Sequence, residues 1–419
     1  MVFLCFLSNI LCFLDRINIS IAAPFMMEAF GWSKAEMGVI FSAFFAGYVL
    51  FMIPCGVAVD RLGAYRSMAA GMVWGSLFTC ITPFFPRIGS ISLCRFLVGM
   101  GQGFNFPAIN HWIARHVGVS DRAKVQGFTL SGIMLASVIG FPAGSWIIRM
   151  WGWPAVFYVS GAAGLVWTLF WLPAVRVFSL SERETSGYAR KPIPWKALLA
   201  HPSALGLSLS YFCHGYAGYL FMAWLPTYLM QVHGFSLTGM GIGAALPALA
   251  SSIFMNLSGW LSDSFVKRGR TQEFSRKGIL YLGMGGSGVF LLGMIWVENP
   301  YAAVCLLTLS SASMALSTPI YWMLCVDIAP RHAVILSSIM NTSGNIAGVV
   351  APLLTGWMVS FLNDWNTAIA VGAAFTFIGV GIAFKMIGSS EIEGLQETQS
   401  ASNHPADDSA QGVEGNQLE

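Results

Sequence analysis

Residues 56–66 read Gly-Val-Ala-Val-Asp-Arg-Leu-Gly-Ala-Tyr-Arg, and a related stretch, Gly-Trp-Leu-Ser-Asp-Ser-Phe-Val-Lys-Arg-Gly, occupies residues 259–269. In both, a glycine lies near the end of an apolar segment, and acidic and basic residues follow. Small residues allow two helices to approach closely. The same spacing, about 200 residues, separates Trp153 from Trp365. The repeat predicts two similar halves arranged one after the other in the chain.

The composition is that of a membrane protein. Of the 419 residues, 56% are hydrophobic and only 10% are charged, whereas a soluble domain carries about 25% charged residues. Apolar runs of about 20 residues indicate helices that cross a bilayer, because the backbone must satisfy its own hydrogen bonds in lipid. We predict an all-α membrane protein with twelve transmembrane helices in two pseudo-symmetric six-helix halves. The spans are predicted at 2–22, 36–59, 67–85, 91–114, 124–149, 154–176, 203–231, 237–261, 278–297, 300–325, 333–361 and 364–388.

The chain divides into four parts. The N-terminal half is predicted over 1–176 and the C-terminal half over 201–388, with a polar, basic cytoplasmic linker at 177–200. The last part, 389–419, is acidic and poor in apolar residues, a composition typical of disorder.

Basic residues are distributed very unevenly between the loops. Seventeen of the 22 Lys and Arg residues fall on one side, against Lys34, Arg87 and Arg149 on the other. Cytoplasmic loops carry the excess of basic residues, so we predict that both termini are cytoplasmic. The basic loops therefore set the topology, and no nucleic-acid partner is expected.

Four motifs resemble those of one family. They are Asp15-Arg16-Ile17-Asn18, the stretch 95–103 with its Arg-Phe-Leu-Val-Gly-Met-Gly-Gln-Gly sequence, Trp-Leu-Pro-Thr-Tyr at 224–228, and Asn-Thr-Ser-Gly-Asn at 341–345. Together with the repeated rim motif, they resemble the anion:cation symporter family of the major facilitator superfamily, over residues 10–388. That family includes bacterial sugar-acid, tartrate and phthalate transporters and the animal sialin and vesicular glutamate carriers.

The resemblance implies a secondary transporter that imports a small organic anion, a carboxylate or sulfonate, by proton symport with alternating access. It implies a monomer in the lipid bilayer, with a bacterial inner membrane as the expected location. An organic anion or organophosphate exchanger and a sodium-coupled carrier remain alternatives. A drug-efflux carrier, a lipid head-group enzyme and a non-transporting sensor fit the residues less well.

Charged side chains within the first and fourth spans are the main candidates for a site. A charge at bilayer depth costs at least ~2.5–3.5 kcal/mol, so Asp15, Arg16 and Arg95 form either a structural ion pair or a functional site. A guanidinium can bind a carboxylate through two parallel hydrogen bonds. The resemblance implies that Arg95 clamps the anion, that Arg16 assists it or pairs with Asp15, and that Asp15 takes up the proton.

Other polar side chains within the spans are candidate substrate contacts. Gln102 replaces the titratable glutamate that the family usually has, so two coupled protons are not expected. The resemblance assigns substrate contact to Tyr48 and Asn341, and Asn345 lies four residues further along the same helix face. His214 occupies a position where the vesicular glutamate carriers have an arginine. Each could instead be a packing residue or a buried polar group with its own partner.

Charges at the helix ends are expected to act as gates. We assign Asp60, Arg61, Arg66 and Asp263 to ion pairs that exchange as the two halves rock, with Asp327 as a further charge at the rim. The eight cysteines show no metal-type spacing, and no disulfide, metal or cofactor is expected. No catalytic motif is found, so the protein is not expected to be an enzyme.

Overall fold

A computed structural model describes residues 1–118, 121–178 and 199–388. The predicted acidic tail, 389–419, lies outside the described residues, and so does all but the two ends of the predicted linker at 177–200. The described part of the chain is helical and contains no strand.

Thirteen α-helices build the described part of the molecule. Seven form the N-terminal half: α1 (Val2–Phe30), α2 (Lys34–Leu62), α3 (Ala64–Ile81), α4 (Ile88–Gln102), α5 (Asn105–His116), α6 (Arg122–Trp151) and α7 (Pro154–Phe178). Six form the C-terminal half: α8 (Pro202–Gln231), α9 (Leu237–Lys267), α10 (Gln272–Met294), α11 (Pro300–Ile328), α12 (Ala333–Leu362) and α13 (Trp365–Met386). Because α4 and α5 together make one crossing, the described helices make twelve crossings, and ten of these helices are by themselves long and apolar enough to span a membrane. The predicted fold class is confirmed.

The predicted fourth span, 91–114, is two helices rather than one. Helix α4 ends at Gln102 and α5 begins at Asn105. Pro107 lacks the N–H that would bond the carbonyl of Gly103 one turn earlier, and its ring crowds that carbonyl. Just before the break, Gly101 packs against the backbone of α3, where a Cβ at this position would lie 3.0 Å from the carbonyl oxygen of Gly71.

Side chains of the connecting segments cap the starts of several helices, α2 and α13 among them. At α2, the hydroxyl of Ser33 accepts from the backbone N–H of Glu36, and the Glu36 carboxylate accepts from the backbone N–H of Ser33. At α13, the carboxylate of Asp364 accepts from two backbone N–H groups. Both caps satisfy donors that a helix start leaves free.

Two glycines hold α2 and α4 in backbone contact. A Cβ on Gly99 would collide with the carbonyl oxygen of Phe44, and one on Gly47 would collide with that of Phe96. The two helices therefore cross with no side chain between them at this point. The crossing fixes α4, and with it Arg95 and Gln102, against the face of α2 that carries Phe44.

We expect Gly99→Ala to destabilise the protein by about 1–3 kcal/mol, since the added methyl group overpacks a backbone contact. Gly89→Ala, on the same helix, is the matched control, because a Cβ there would meet no atom within 4 Å. Thermal unfolding of the two purified variants checks this. Equal melting temperatures for both would contradict the close α2–α4 contact.

The two halves meet at one end of the bundle, the end where α1 finishes and α2 begins (the α1–α2 end). The backbone N–H of Ala35 donates to Ser360 Oγ at 2.7 Å, and Ser42 Oγ donates to the carbonyl of Val349 at 2.6 Å. Ser20 Oγ on α1 donates to the backbone carbonyl of Met222 on α8 at 2.8 Å. The halves are therefore closed against each other at this end.

Toward the opposite end, where α2 meets α3 (the α2–α3 end), the halves diverge. A Cβ on Gly56 or on Gly259 would meet no atom within 4 Å. The close helix approach predicted for these two motif glycines is therefore not made in this conformation. By contrast, a Cβ on Gly38, near the α1–α2 end of the same helix α2, would lie 2.7 Å from the carbonyl oxygen of Pro352. The space between the halves opens at the α2–α3 end.

Candidate functional site

Helix α1 presents its two charges to different surroundings. Successive residues on an α-helix are rotated by about 100°. Asp15 therefore faces the interior of the N-terminal half, where it is 4% exposed, while Arg16 remains half-buried on the side toward the C-terminal half. Asp15 and Arg16 are adjacent in sequence but lie in two different environments.

Aromatic rings surround the Arg16 guanidinium. Its central carbon lies 4.6 Å from the ring centre of Tyr48, 5.3 Å from that of Phe44 and 5.8 Å from that of Phe13. Its Nε donates to Gln102 Oε1 at 3.1 Å. Within the described part of the chain, neither terminal nitrogen of Arg16 has a hydrogen-bond acceptor. The cation is held in place with its two forked donors free.

The C-terminal half places a polar chain opposite Arg16. Tyr219 on α8 interacts electrostatically with Arg16, and its ring packs on Phe45 at 4.5 Å. Its hydroxyl donates to Asn345 Oδ1 at 2.9 Å, and Asn345 Nδ2 donates to the carbonyl of Asn341 at 2.8 Å. The sequence prediction included both asparagines but missed Tyr219. A phenol five residues after His214 on the same apolar helix was the signal that could have identified it.

Arg95 does not line the space between the halves. Its side chain is 1% exposed, its Nη1 donates to the backbone carbonyl of Asp15 at 3.0 Å, and the ring of Phe44 covers it at 5.1 Å. A ligand between the halves cannot reach this guanidinium in this conformation. In this conformation Arg16 is therefore the more accessible of the two guanidinium groups, whereas the resemblance implied that the enclosed Arg95 clamps the anion.

The Asp15 carboxylate is not locked in an ion pair. Its Oδ1 has no hydrogen-bond partner, and among the described residues no ion pair within 4.0 Å joins Asp15 to Arg16 or Arg95. Thr79 of α3, Ser160 of α7 and Gln102 lie around the carboxylate, and Arg95 acts on it electrostatically. The structural ion-pair interpretation is thus not what this conformation shows.

His214 lies apart from the Arg16 group, inside the C-terminal half. Its Nε2 is 3.1 Å from Thr318 Oγ1. Its ring stacks on Tyr211 with centres 5.3 Å apart and meets Tyr321 edge-on at 5.4 Å. These contacts fit the alternative interpretation, a histidine with its own partner between α8 and α11.

The predicted gating residues lie at the α2–α3 end. Asp60 is 3.6 Å from His111 Nδ1, Arg61 is exposed, and Arg66 is half-buried. The side chain of Asp263 lies outside the described residues. Asp327 forms an ion pair with Arg276, so this predicted rim charge has a partner within its own half.

Comparison with known proteins agrees with this architecture. A family model described as Major Facilitator Superfamily matches residues 5–352. A chloroplastic ascorbate transporter of Arabidopsis thaliana is 35% identical, over 90% of this chain and 72% of its own length. A probable sulfoacetate transporter of Cupriavidus necator is 30% identical, over 88% of this chain and 89% of its own length.

Among solved structures, a bacterial homologue of the human lysosomal transporter Spinster, in an inward-facing and occupied conformation, has the same fold. It superposes with a TM-score of 0.78 at 18% sequence identity, covering 91% of this chain and 95% of its own.

Proposed function

The chain belongs to the Major Facilitator Superfamily, and we propose that it carries a small organic anion across the membrane, with Arg16 as the residue that binds the anion. It is a multi-pass membrane transporter and not an enzyme. The observation that carries the proposal is the half-buried Arg16, whose terminal nitrogens remain free between the two halves.

The surroundings of Arg16 favour a carboxylate or sulfonate on a small body. A free guanidinium fork matches two oxygens of one anionic group. The rings of Tyr48 and Phe44 offer apolar faces, and the hydroxyl and amides of Tyr219 and Asn345 lie across the gap. The names of the ascorbate and sulfoacetate transporters agree with this substrate class.

We assign cation coupling to Asp15, and a proton is the ion that we propose. A buried carboxylate with an unpartnered oxygen is costly while it is ionised, so uptake of a cation there is favourable. Gln102 separates Asp15 from the anion site, since it lies against the carboxylate and bonds Arg16. Uptake of a cation by Asp15 can therefore alter the hydrogen bond between Gln102 and Arg16, and binding of an anion at Arg16 can alter the contact between Gln102 and Asp15.

For the orientation, we propose that the α2–α3 end, with both termini, faces the cytoplasm. The excess of basic residues at that end supports this, and a bacterial inner membrane remains the predicted location. The structure is then open to the cytoplasm and closed to the outside. Rocking of the halves about the anion site would close the gap at Gly56 and Gly259.

Uptake into proteoliposomes tests the function. We expect labelled ascorbate or sulfoacetate to accumulate when the outside is made acidic, and to equilibrate only slowly without the gradient. Accumulation only in vesicles preloaded with an anion would favour the exchanger, and dependence on sodium would favour the sodium-coupled carrier. Absence of flux for every organic anion in a broad panel would contradict the proposal.

Gln102→Glu should make anion binding depend on pH. An ionised glutamate would pair with the Arg16 Nε that Gln102 now bonds, and it would compete with the anion. At low pH the glutamate is neutral, and the affinity should return toward that of the wild type. Equilibrium binding at acidic and alkaline pH checks this, with the wild type as control. A variant whose affinity matches the wild type at both values would contradict the placing of the anion at Arg16.

A further inference from the structure

One aromatic ring of α2 contacts both guanidinium groups. The ring centre of Phe44 lies 5.3 Å from the guanidinium carbon of Arg16 and 5.1 Å from that of Arg95. Both distances are within the range of cation–π contact. Phe44 and Arg95 are each 1% exposed, whereas Arg16 is half-buried. The ring therefore fills the space beside the two cations, and of the two only Arg16 is accessible from between the halves.

Backbone contacts and neighbouring rings hold Phe44 in this position. A Cβ on Gly99 of α4 would collide with the carbonyl oxygen of Phe44, so the backbone at Phe44 lies directly against the helix that carries Arg95. The Phe44 ring is parallel to that of Tyr48 to within 10°, with centres 6.2 Å apart, and it meets the ring of Phe45 edge-on at 5.1 Å. Because close-packed side chains move only together, Phe44 cannot leave Arg95 without displacing its neighbours.

The opposite wall adds no formal positive charge. Helices α8 and α12, which carry Tyr219 and Asn345, contain no Lys, Arg, Asp or Glu. His214 of α8 lies apart from this group, beside Thr318 of α11. Around Arg16, the described residues thus present one accessible guanidinium and otherwise neutral groups.

The number of accessible cations limits the charge that a ligand can carry. A single carboxylate can occupy both forked donors of Arg16. A second carboxylate on the same molecule would meet only a phenol and amides in a partly buried space, where an unpaired charge is costly. The other guanidinium able to neutralise it belongs to Arg95, and the Phe44 ring occupies the space through which it would be reached.

We propose that Phe44 determines the charge of the transported anion: its ring shields Arg95, so that the site takes singly charged anions in preference to doubly charged ones. The inference rests on the proposed function, because it takes Arg16 as the residue that binds the anion. It adds the charge class of the substrate and a specificity-determining residue. A smaller side chain at position 44 would open a space shared by Arg16 and Arg95, where both could bind a doubly charged anion.

Anions matched in size but not in charge test the proposal. Succinate and malonate carry two charges at mildly alkaline pH, and their monoamides, succinamate and malonamate, carry one. Equilibrium binding of all four to the purified protein is measured at constant ionic strength. We expect the wild type to bind the monoamides more tightly than the diacids. Phe44→Ala should raise the affinity for the diacids, relative to the monoamides, by roughly tenfold or more, the effect of one hydrogen bond to a charged group.

The reactivity of the arginines gives a readout that needs no ligand. Phenylglyoxal modifies accessible arginines, and peptide mass spectrometry locates the modified positions. In the wild type we expect modification of Arg16 and not of Arg95, and in Phe44→Ala modification of both. Phe44→Leu, which loses the ring but keeps an apolar side chain, should change both readouts in the same direction by a smaller amount, and it serves if the alanine variant does not fold.

Phe41→Ala is the matched control. Phe41 is a buried ring on the same helix, 3% exposed, and it packs edge-on against Trp224 at 5.0 Å. Its removal should leave the diacid-to-monoamide ratio and the reactivity of Arg95 unchanged.

Three results would overturn the proposal: a wild type that prefers the diacids, a ratio that Phe44→Ala leaves unchanged, or modification of Arg95 in the wild type. Failure of all four compounds to bind either protein would contradict the proposed anion site itself. The phenylglyoxal pattern would then still decide whether Phe44 shields Arg95, so the two failures are distinguishable.

Discussion

Arg16→Gln is expected to weaken binding of the organic anion by roughly 10- to 150-fold. Hydrogen bonds to a charged group contribute about 1.5–3 kcal/mol, and each ~1.4 kcal/mol corresponds to a tenfold change in affinity. The fold should survive, because Arg16 is half-buried and the variant retains a polar side chain beside Gln102. Equilibrium binding of the labelled anion to the purified protein measures the effect.

Two further variants sharpen this test. Arg16→Lys keeps the charge but loses the fork, and we expect an intermediate affinity. Arg87→Gln removes an arginine at the start of α4, away from the anion site, and should leave the affinity unchanged. An Arg16→Gln protein that binds the anion as tightly as the wild type would exclude this residue as the clamp.

Asp15→Asn is expected to abolish accumulation against a gradient while anion exchange persists. The substitution keeps the size of the side chain but removes the group that takes up the cation. Uphill uptake driven by a proton gradient into proteoliposomes should therefore fall to the equilibrium level. Counterflow, in which labelled anion enters vesicles loaded with unlabelled anion, should remain because Arg16 is intact.

Asp364→Asn is the control for loss of an acidic residue, since Asp364 caps the start of α13 and asparagine is an equally good N-cap. That variant should accumulate anion as the wild type does. Continued gradient-driven accumulation in Asp15→Asn would show that coupling lies elsewhere.

Much of the fold follows from the sequence, because hydropathy and the basic loops determine where a chain crosses a bilayer. All twelve predicted crossings have their counterparts, although α1 continues to Phe30. The break between α4 and α5 was missed, because a predicted span is judged by its mean hydropathy and a single proline at 107 changes that little. The feature that marks the break is the missing backbone hydrogen bond from position 107 to the carbonyl of Gly103.

The candidate site could be predicted only in part. Arg16, Arg95 and Asp15 are all marked by charge in an apolar segment, yet charge alone does not say which arginine faces the other half. That depends on how α1 and α4 are rotated, which the glycine contact between α4 and α2 fixes. The polar surroundings of the Asp15 carboxylate likewise arise where α1, α3, α4 and α7 meet, and no spacing within one helix encodes them.

Thermal unfolding of the wild-type protein across paired compounds tests the central claim, binding of a small organic anion between the halves, most directly. Each carboxylate or sulfonate is measured beside its neutral amide. A ligand at 100 times its dissociation constant stabilises the folded state by ~2.7 kcal/mol. We predict that at least one acid gives a saturable rise in melting temperature and that its amide does not. Stabilisation by the neutral amides to the same extent as by the acids, or by none of the acids at all, would contradict the account.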